Sequence, residues 1–210
     1  MYIQNKTAIE NGENHMETNN GLLDQMKYND YVKHNILYLD CEIDRNSQVM
    51  FCRQLEKLAK QELAKPIEER KPITVKISSY GGVVWDVFCM VSMMEYWQEQ
   101  GITIKTVCMG YVASGGSKIL MAGSKGHRYI TRYARVLIHQ SNSFKYGRST
   151  LQEDIMETKY SLEDFELIKD MFRKHTKLSE QDLNDLLEKN VDVQYFADEA
   201  ISKGLADIII

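Results

Sequence analysis

Ser114 lies in the run Gly110-Tyr111-Val112-Ala113-Ser114-Gly115-Gly116, where small residues flank a hydroxyl on both sides. Such a run suits a tight strand-to-helix turn that exposes the hydroxyl beside backbone N–H groups. A nucleophilic serine needs that arrangement, because the attacking oxygen and the oxyanion donors must meet at one carbonyl. A base must also reach the hydroxyl, and an acid must fix the tautomer of the base. His139 directly follows the strand-like run Arg135-Val136-Leu137-Ile138, and Asp192 lies in the connection Asn190-Val191-Asp192-Val193. Gly81-Gly82 ends a further apolar stretch. Each residue also has an ordinary structural reading: a serine in a close helix contact, a strand-end histidine facing water, an aspartate forming a turn or a cap. Ser117 and Lys118 open another option, since Lys118 falls one helical turn after Ser114 and on the same face. A serine–lysine dyad then competes with the commoner solvated helix lysine. His15, His34, His127 and His175 form no H-E-x-x-H or similar spacing, so neither a metal site nor a cofactor is expected.

The elements that must position these residues alternate between two periods. Ile36-Leu37-Tyr38-Leu39 reads as a short buried strand, and Asp44 or Asn46 as the cap of a helix carrying Val49, Cys52, Leu55, Leu58 and Ala59. Ile73, Val75 and Ile77 alternate as in a strand and lead into Ser78-Ser79-Tyr80-Gly81-Gly82, after which Val87, Met90, Val91 and Met94 recur at helical spacing. The unit then repeats: a strand from Ile102 to Met109, the turn at Ser114, and a helix beginning over Ser117 to Ala122. Residues 151–175 predict a long amphipathic helix, and Ser179 with Asp182 a capping box. Ala197 to Lys203 predicts a short helix closed by Gly204. Strands alternating with helices indicate an α/β fold of repeated β-turn-α units. Both glycine-rich turns fall where a strand gives way to a helix, the edge at which such sheets place ligands.

The chain has 210 residues, 43% of them apolar and 27% charged, with a net charge of −4. That is enough for one domain with a proper core, and it provides no basic stripe for nucleic acid. No apolar run approaches membrane-helix length, and there is no signal-peptide pattern, so a cytoplasmic protein without a membrane partner is expected. Cys41, Cys52, Cys89 and Cys108 show no C-x-x-C spacing and read as buried free thiols. Residues 1–25 are polar without a sustained period, which divides the chain into a mobile tail or prosegment (1–27) and a domain (28–210).

Over 28–210 the sequence resembles the proteolytic subunit of the Clp protease family. Ile77-Ser78-Ser79-Tyr80-Gly81-Gly82 is similar to the family's strand and Asn-Ser-Pro-Gly-Gly, and the Ser114 run to its Gly-x-Ala-Ala-Ser-Met-Gly turn. Ala122 to Tyr129, the histidine motif Val136-Leu137-Ile138-His139-Gln140 and the closing Glu199-Ala200, Gly204-Leu205 and Asp207 match in register. The order Ser…His…Asp separates the chain from α/β-hydrolases, which run Ser…Asp/Glu…His. The resemblance implies a crotonase-like fold with a protruding helical handle at 151–175. It implies a serine endopeptidase with Ser114 as nucleophile, His139 as base and Asp192 as orienting acid. Gly82 and Gly115 would be the oxyanion donors, and Gly81, Gln140 and Ser141 would hold the substrate. It further implies heptameric rings enclosing unfolded polypeptide substrates, fed by a separate AAA+ ATPase unfoldase. Departures stand out at five positions: Tyr80 and Ser141 replace the family's prolines, Val191 its usual arginine, and Thr74 and Lys76 the aromatic residues of the ATPase-docking strand. Other readings are a catalytically silent ring subunit that scaffolds an active paralogue, a phage-type maturation protease, and an acyl-CoA enzyme of the same fold.

Overall fold

Leu37 and Leu39 point into the core from β1 (Ile36–Leu39), and Ile73, Val75 and Ile77 do the same from β2 (Ile73–Ser79). Residue-by-residue alternation thus sets which face of the sheet the helices cover. The structure is a computed structural model and describes residues 23–31, 33–139, 150–188 and 192–210. A helix over 23–31 (α1) precedes β1 and includes 23–27, residues whose composition predicts a tail. Lys27 pairs with Asp40 at 2.6 Å, and the Tyr38 hydroxyl donates to Asp30 at 2.6 Å, tying α1 to β1.

Helix α2 (Arg45–Leu63) starts at Asp44, whose carboxylate accepts from the Ser47 N–H while Ser47 Oγ accepts from the Asp44 N–H. This reciprocal cap satisfies two donors that the helix cannot satisfy itself. Its inner face carries Phe51, Cys52, Leu55, Leu58 and Ala59, packed against α3 (Val84–Glu99), which buries Val87, Met90, Val91 and Met94. Beyond α3 the chain enters β3 (Ile104–Ala113), then α4 (Gly115–Met121), β4 (Arg128–Ile130) and β5 (Arg135–Ile138). Helix α5 (Leu151–His175), α6 (Glu180–Glu188), β6 (Val193–Phe196), α7 (Ala197–Ser202) and β7 (Ile208–Ile209) complete the described elements.

The described strands form one sheet in the order β1-β2-β3-β4-β7, with β5 on β3 and β6 on β5. Every pairing is parallel except β5 with β6. Strand β3 is central and serves two neighbours in turn along one edge: Thr106–Cys108 pairs β4, and Tyr111–Ala113 pairs β5. Between these lie Met109 and Gly110, where the β2 register slips from Ile77↔Cys108 to Ser79↔Val112. The strand therefore runs on to Ala113, past the end at Met109 that the sequence pattern predicts. Gly110 forms a bulge inside the strand (φ +153°), not the start of the turn.

Two further expectations are corrected. Cys41 and Cys89 are exposed, and only Cys52 and Cys108 are buried. Cys41 sits on the bend after β1, and Cys89 lies on α3 where it lines a surface groove. Lys118 is not a solvated helix lysine but is 3% exposed. The short α4 is buried on every side, leaving no solvent face for it to occupy.

Candidate active site

The register of β3, β5 and β6 brings the ends of three strands together. Ala113 pairs with Leu137, and the Ser114 N–H then donates to the Leu137 carbonyl at 3.0 Å. Ser114 is thereby fixed to β5 two residues before His139. On the other edge of β5 the antiparallel ladder ends at Ile138↔Val193, which leaves His139 and Asp192 as the residues next beyond it on the two segments. Parity puts His139 and Asp192 on the face of the sheet that Tyr111, Arg135 and Leu137 share. Ser114 and His139 are half-buried, whereas Asp192 is exposed. Among the described residues no hydrogen bond joins the side chains of Ser114, His139 and Asp192. Gln140 and Ser141, expected to bind substrate, lie outside the described residues.

Ser114 has φ +51° and ψ −117°, a left-handed conformation that only it and Asn35 adopt among the described non-glycine residues. Such strain persists only where the surroundings over-determine it, and it lifts the side chain clear of the turn. The surroundings are identifiable. The Ser114 carbonyl accepts from Ser117 Oγ at 2.6 Å, and Gly81 lies directly over the turn. A Cβ at Gly81 would stand 2.7 Å from the Ser114 Cβ and 2.6 Å from the Gly115 nitrogen. Gly115 is equally confined from behind, because a Cβ there would meet Val87 Cγ2 at 2.5 Å.

Two backbone donors flank this serine. Gly115 opens α4, so its N–H belongs to the first turn and has no intrahelical acceptor. Gly82 forms a parallel bridge with Ile43, closed by Ile43 N–H to Gly81 C=O (2.8 Å) and Val83 N–H to Ile43 C=O (2.8 Å). In that geometry the Gly82 N–H points away from Ile43, toward the β3 edge. Ile43 thus aims the amide, a role that an isolated apolar residue before a helix cap does not signal in sequence.

Tyr80, where the family has proline, is 81% exposed and leans on Tyr111 with ring centroids 5.3 Å apart. Burial raises the Tyr111 phenol above its ordinary value, and the nearby Tyr80 and Asp192 raise it further. Asp192 therefore sits within electrostatic reach of the end of β3 as well as of β5. Lys118 does not complete a dyad: its ammonium lies 5.9 Å from the ring centroid of Phe172 on α5, with no hydrogen bond to Ser114. Desolvation lowers it to about 8.

A second buried polar group braces the sheet below the site. Arg128 donates to Asp207 through Nε (2.8 Å) and Nη2 (2.5 Å), and to the carbonyls of Met121 (3.2 Å) and His175 (2.6 Å). Burial works against the Asp207 carboxylate, but Arg128 brings it below the usual carboxylate range. His175, at the end of α5, meets Glu95 at 2.6 Å, and burial lowers its imidazole despite that partner. Among the described residues there is no cluster of three or more His, Cys, Asp or Glu that could hold a metal, and no helix is long and apolar enough to cross a membrane.

A mostly parallel sheet flanked by helices, with a strained serine at the end of its central strand, defines an α/β protein of crotonase-like architecture. The chain belongs to the Clp protease family, whose model, described as Clp protease, matches residues 20–210. Membership makes the protein a hydrolase of the proteolytic kind and a serine peptidase in general type; the family's members typically form oligomeric rings that act on protein substrates.

Proposed function

We propose that the protein is a serine endopeptidase in which Ser114, His139 and Asp192 act together. The observation that carries the reading is the left-handed Ser114 turn with the N–H groups of Gly82 and Gly115 on either side. Ser114 Oγ attacks the scissile carbonyl while His139 takes its proton, and the carbonyl oxygen becomes an oxyanion held by the two amides. The C–N bond then breaks as His139 returns the proton to the leaving amine. Water hydrolyses the acyl-enzyme by the same route in reverse. Asp192 steadies the imidazolium, and the substrate backbone pairs with the strand edge beside Gly81 and Gly82 and with the segment after His139, including Gln140 and Ser141.

We further propose that the subunits close into heptameric rings around these sites, in the cytoplasm, and take unfolded polypeptide from an AAA+ unfoldase. Four free thiols suit that compartment. The docking strand differs in chemistry from an apolar socket. Lys76 Nζ donates to the Tyr38 hydroxyl at 3.2 Å and lies 5.1 Å from the centroid of its ring. An unfoldase loop that fits here carries an acidic or hydrogen-bonding group in place of a purely apolar one.

Hydrolysis of a fluorogenic peptide by the assembled protein tests the catalytic reading. Ser114→Ala should lower turnover about ten-thousand-fold or more, and unchanged turnover would overturn the assignment. A second reading, a catalytically silent ring subunit, is favoured by the exposed Asp192 and the missing hydrogen bonds among the three side chains. It requires wild type and Ser114→Ala to be equally inert alone, with activity appearing only when an active paralogue is added.

A further inference from the structure

Helices α2 and α3 hold two thiols on one amide. Gln48 Nε2 donates to Cys52 Sγ at 3.3 Å and to Cys89 Sγ at 3.0 Å, and Gln48 itself is buried. Sharing one donor nitrogen brings the two sulfurs together in the α2–α3 interface, with Cys89 close enough to push the Cys52 thiol further up. They differ in access: Cys52 is buried in the helix interface, whereas Cys89 is exposed. Cys89 opens onto a surface groove that it lines with Glu56, Lys60, Ser92, Met93 and Tyr96. One reachable thiol backed by one protected thiol is the layout in which an oxidised sulfur is captured before it oxidises further.

We propose that Cys52 and Cys89 are a peroxide-responsive pair that closes into a reversible disulfide fastening α2 to α3. The Cys89 sulfur attacks hydrogen peroxide, an S–O bond forms as the O–O bond breaks, and the departing hydroxide leaves as water with the thiol proton. The Cys52 sulfur then attacks the Cys89 sulfenic acid, the S–S bond forms as the S–O bond breaks, and a second water leaves with the Cys52 proton. Two thiols are oxidised and one peroxide is reduced to two waters. Burial pushes the Cys52 thiol up to about 11, partly offset by the Gln48 amide, so the second step depends on the sulfurs being held together.

The bond would act on the wall behind the serine turn. Cys89 shares α3 with Val87, which packs against Gly115, and α3 begins two residues after Gly82, with Val83 as its N-cap. The modification does not depend on Ser114 being the nucleophile.

The full-length native protein is treated with a small excess of hydrogen peroxide, then denatured, alkylated with N-ethylmaleimide and mapped by mass spectrometry. Two of the four cysteines should lose alkylation, and the Cys52 peptide should appear linked to the Cys89 peptide, two hydrogens lighter than the separate pair. Dithiothreitol should restore both. Cys41, exposed and outside this helix pair, is the internal reference for simple oxidation. Cys89→Ser, a change at an exposed position, should leave Cys52 fully alkylated after the same treatment. Oxygen adducts on Cys89 with Cys52 still alkylated in the wild type, a linkage from Cys89 to Cys41, or no reaction at either thiol would each overturn the proposal.

Discussion

Lys118 lies beneath Phe172 with its ammonium desolvated, and nothing among the described residues neutralises it. The unfolded chain holds a lysine proton up to about pH 10.4, whereas the folded chain releases it near 8. Between those values the unfolded state binds more protons, so folding stability rises with pH. At pH 7 the folded protein carries the full penalty of a buried charge. Lys118→Met should therefore raise stability at pH 7 by on the order of 1–3 kcal/mol. Its advantage should shrink as pH climbs through 8 and be gone above about 10.4. Denaturant unfolding of both proteins at pH 7 and pH 10.5 measures this; a methionine variant less stable at pH 7 would contradict it. Sequence spacing placed Lys118 on the same helical face as Ser114. It could not show that α5, far along the chain, covers that face.

The turn elements carry the next constraint. Gly82 has φ +156°, and a Cβ there would land on the backbone of Ile43. Gly82→Ala must push the bridge apart, which costs about 1–3 kcal/mol of stability as an overpacked site. It also swings away the amide assigned to the oxyanion, so turnover should fall about a hundred- to a thousand-fold. Thermal unfolding and peptidase kinetics on one preparation test both, and a fully active, fully stable variant would remove Gly82 from the account. The elements themselves were unevenly legible. Helices α2 and α5 stand at the expected residues because a long apolar period and a reciprocal cap are local signals. The same holds for the Ser179–Asp182 box, where Ser179 N–H donates to Asp182 at 2.9 Å. Strands β4 and β7, at three and two residues, are too short to display a pattern, and β6 lacks the continuous apolar run that makes the equally short β1 and β5 legible. β6 matters most: in sequence Asp192 reads as part of a connection, whereas the antiparallel β5–β6 ladder ends one residue before both it and His139. The serine turn was legible through its small residues. The glycines' partners, Ile43 and Val87, were not, because close approach is a tertiary fact.

At the scale of the molecule, α5 buries only Ile168, Lys169, Phe172 and His175, all near its C-terminal end. Its first four turns expose Leu151, Ile155, Tyr160 and Leu162. Apolar residues on a projecting helix mark a surface that another subunit covers, in keeping with the ring-forming habit of the family. Sedimentation should give a particle of several subunits, which Ile155→Glu with Leu162→Glu should break into smaller species with unchanged far-UV dichroism. A stable wild-type monomer would contradict the ring. Within that assembly the central claim remains the chemistry of one hydroxyl. A fluorophosphonate probe added to the native protein forms an O–P bond at an activated serine and expels fluoride. Intact-mass and peptide analysis should find one probe per chain, attached at Ser114, and none on Ser114→Ala. An unlabelled wild-type particle, or a probe seated on another serine, would contradict the account.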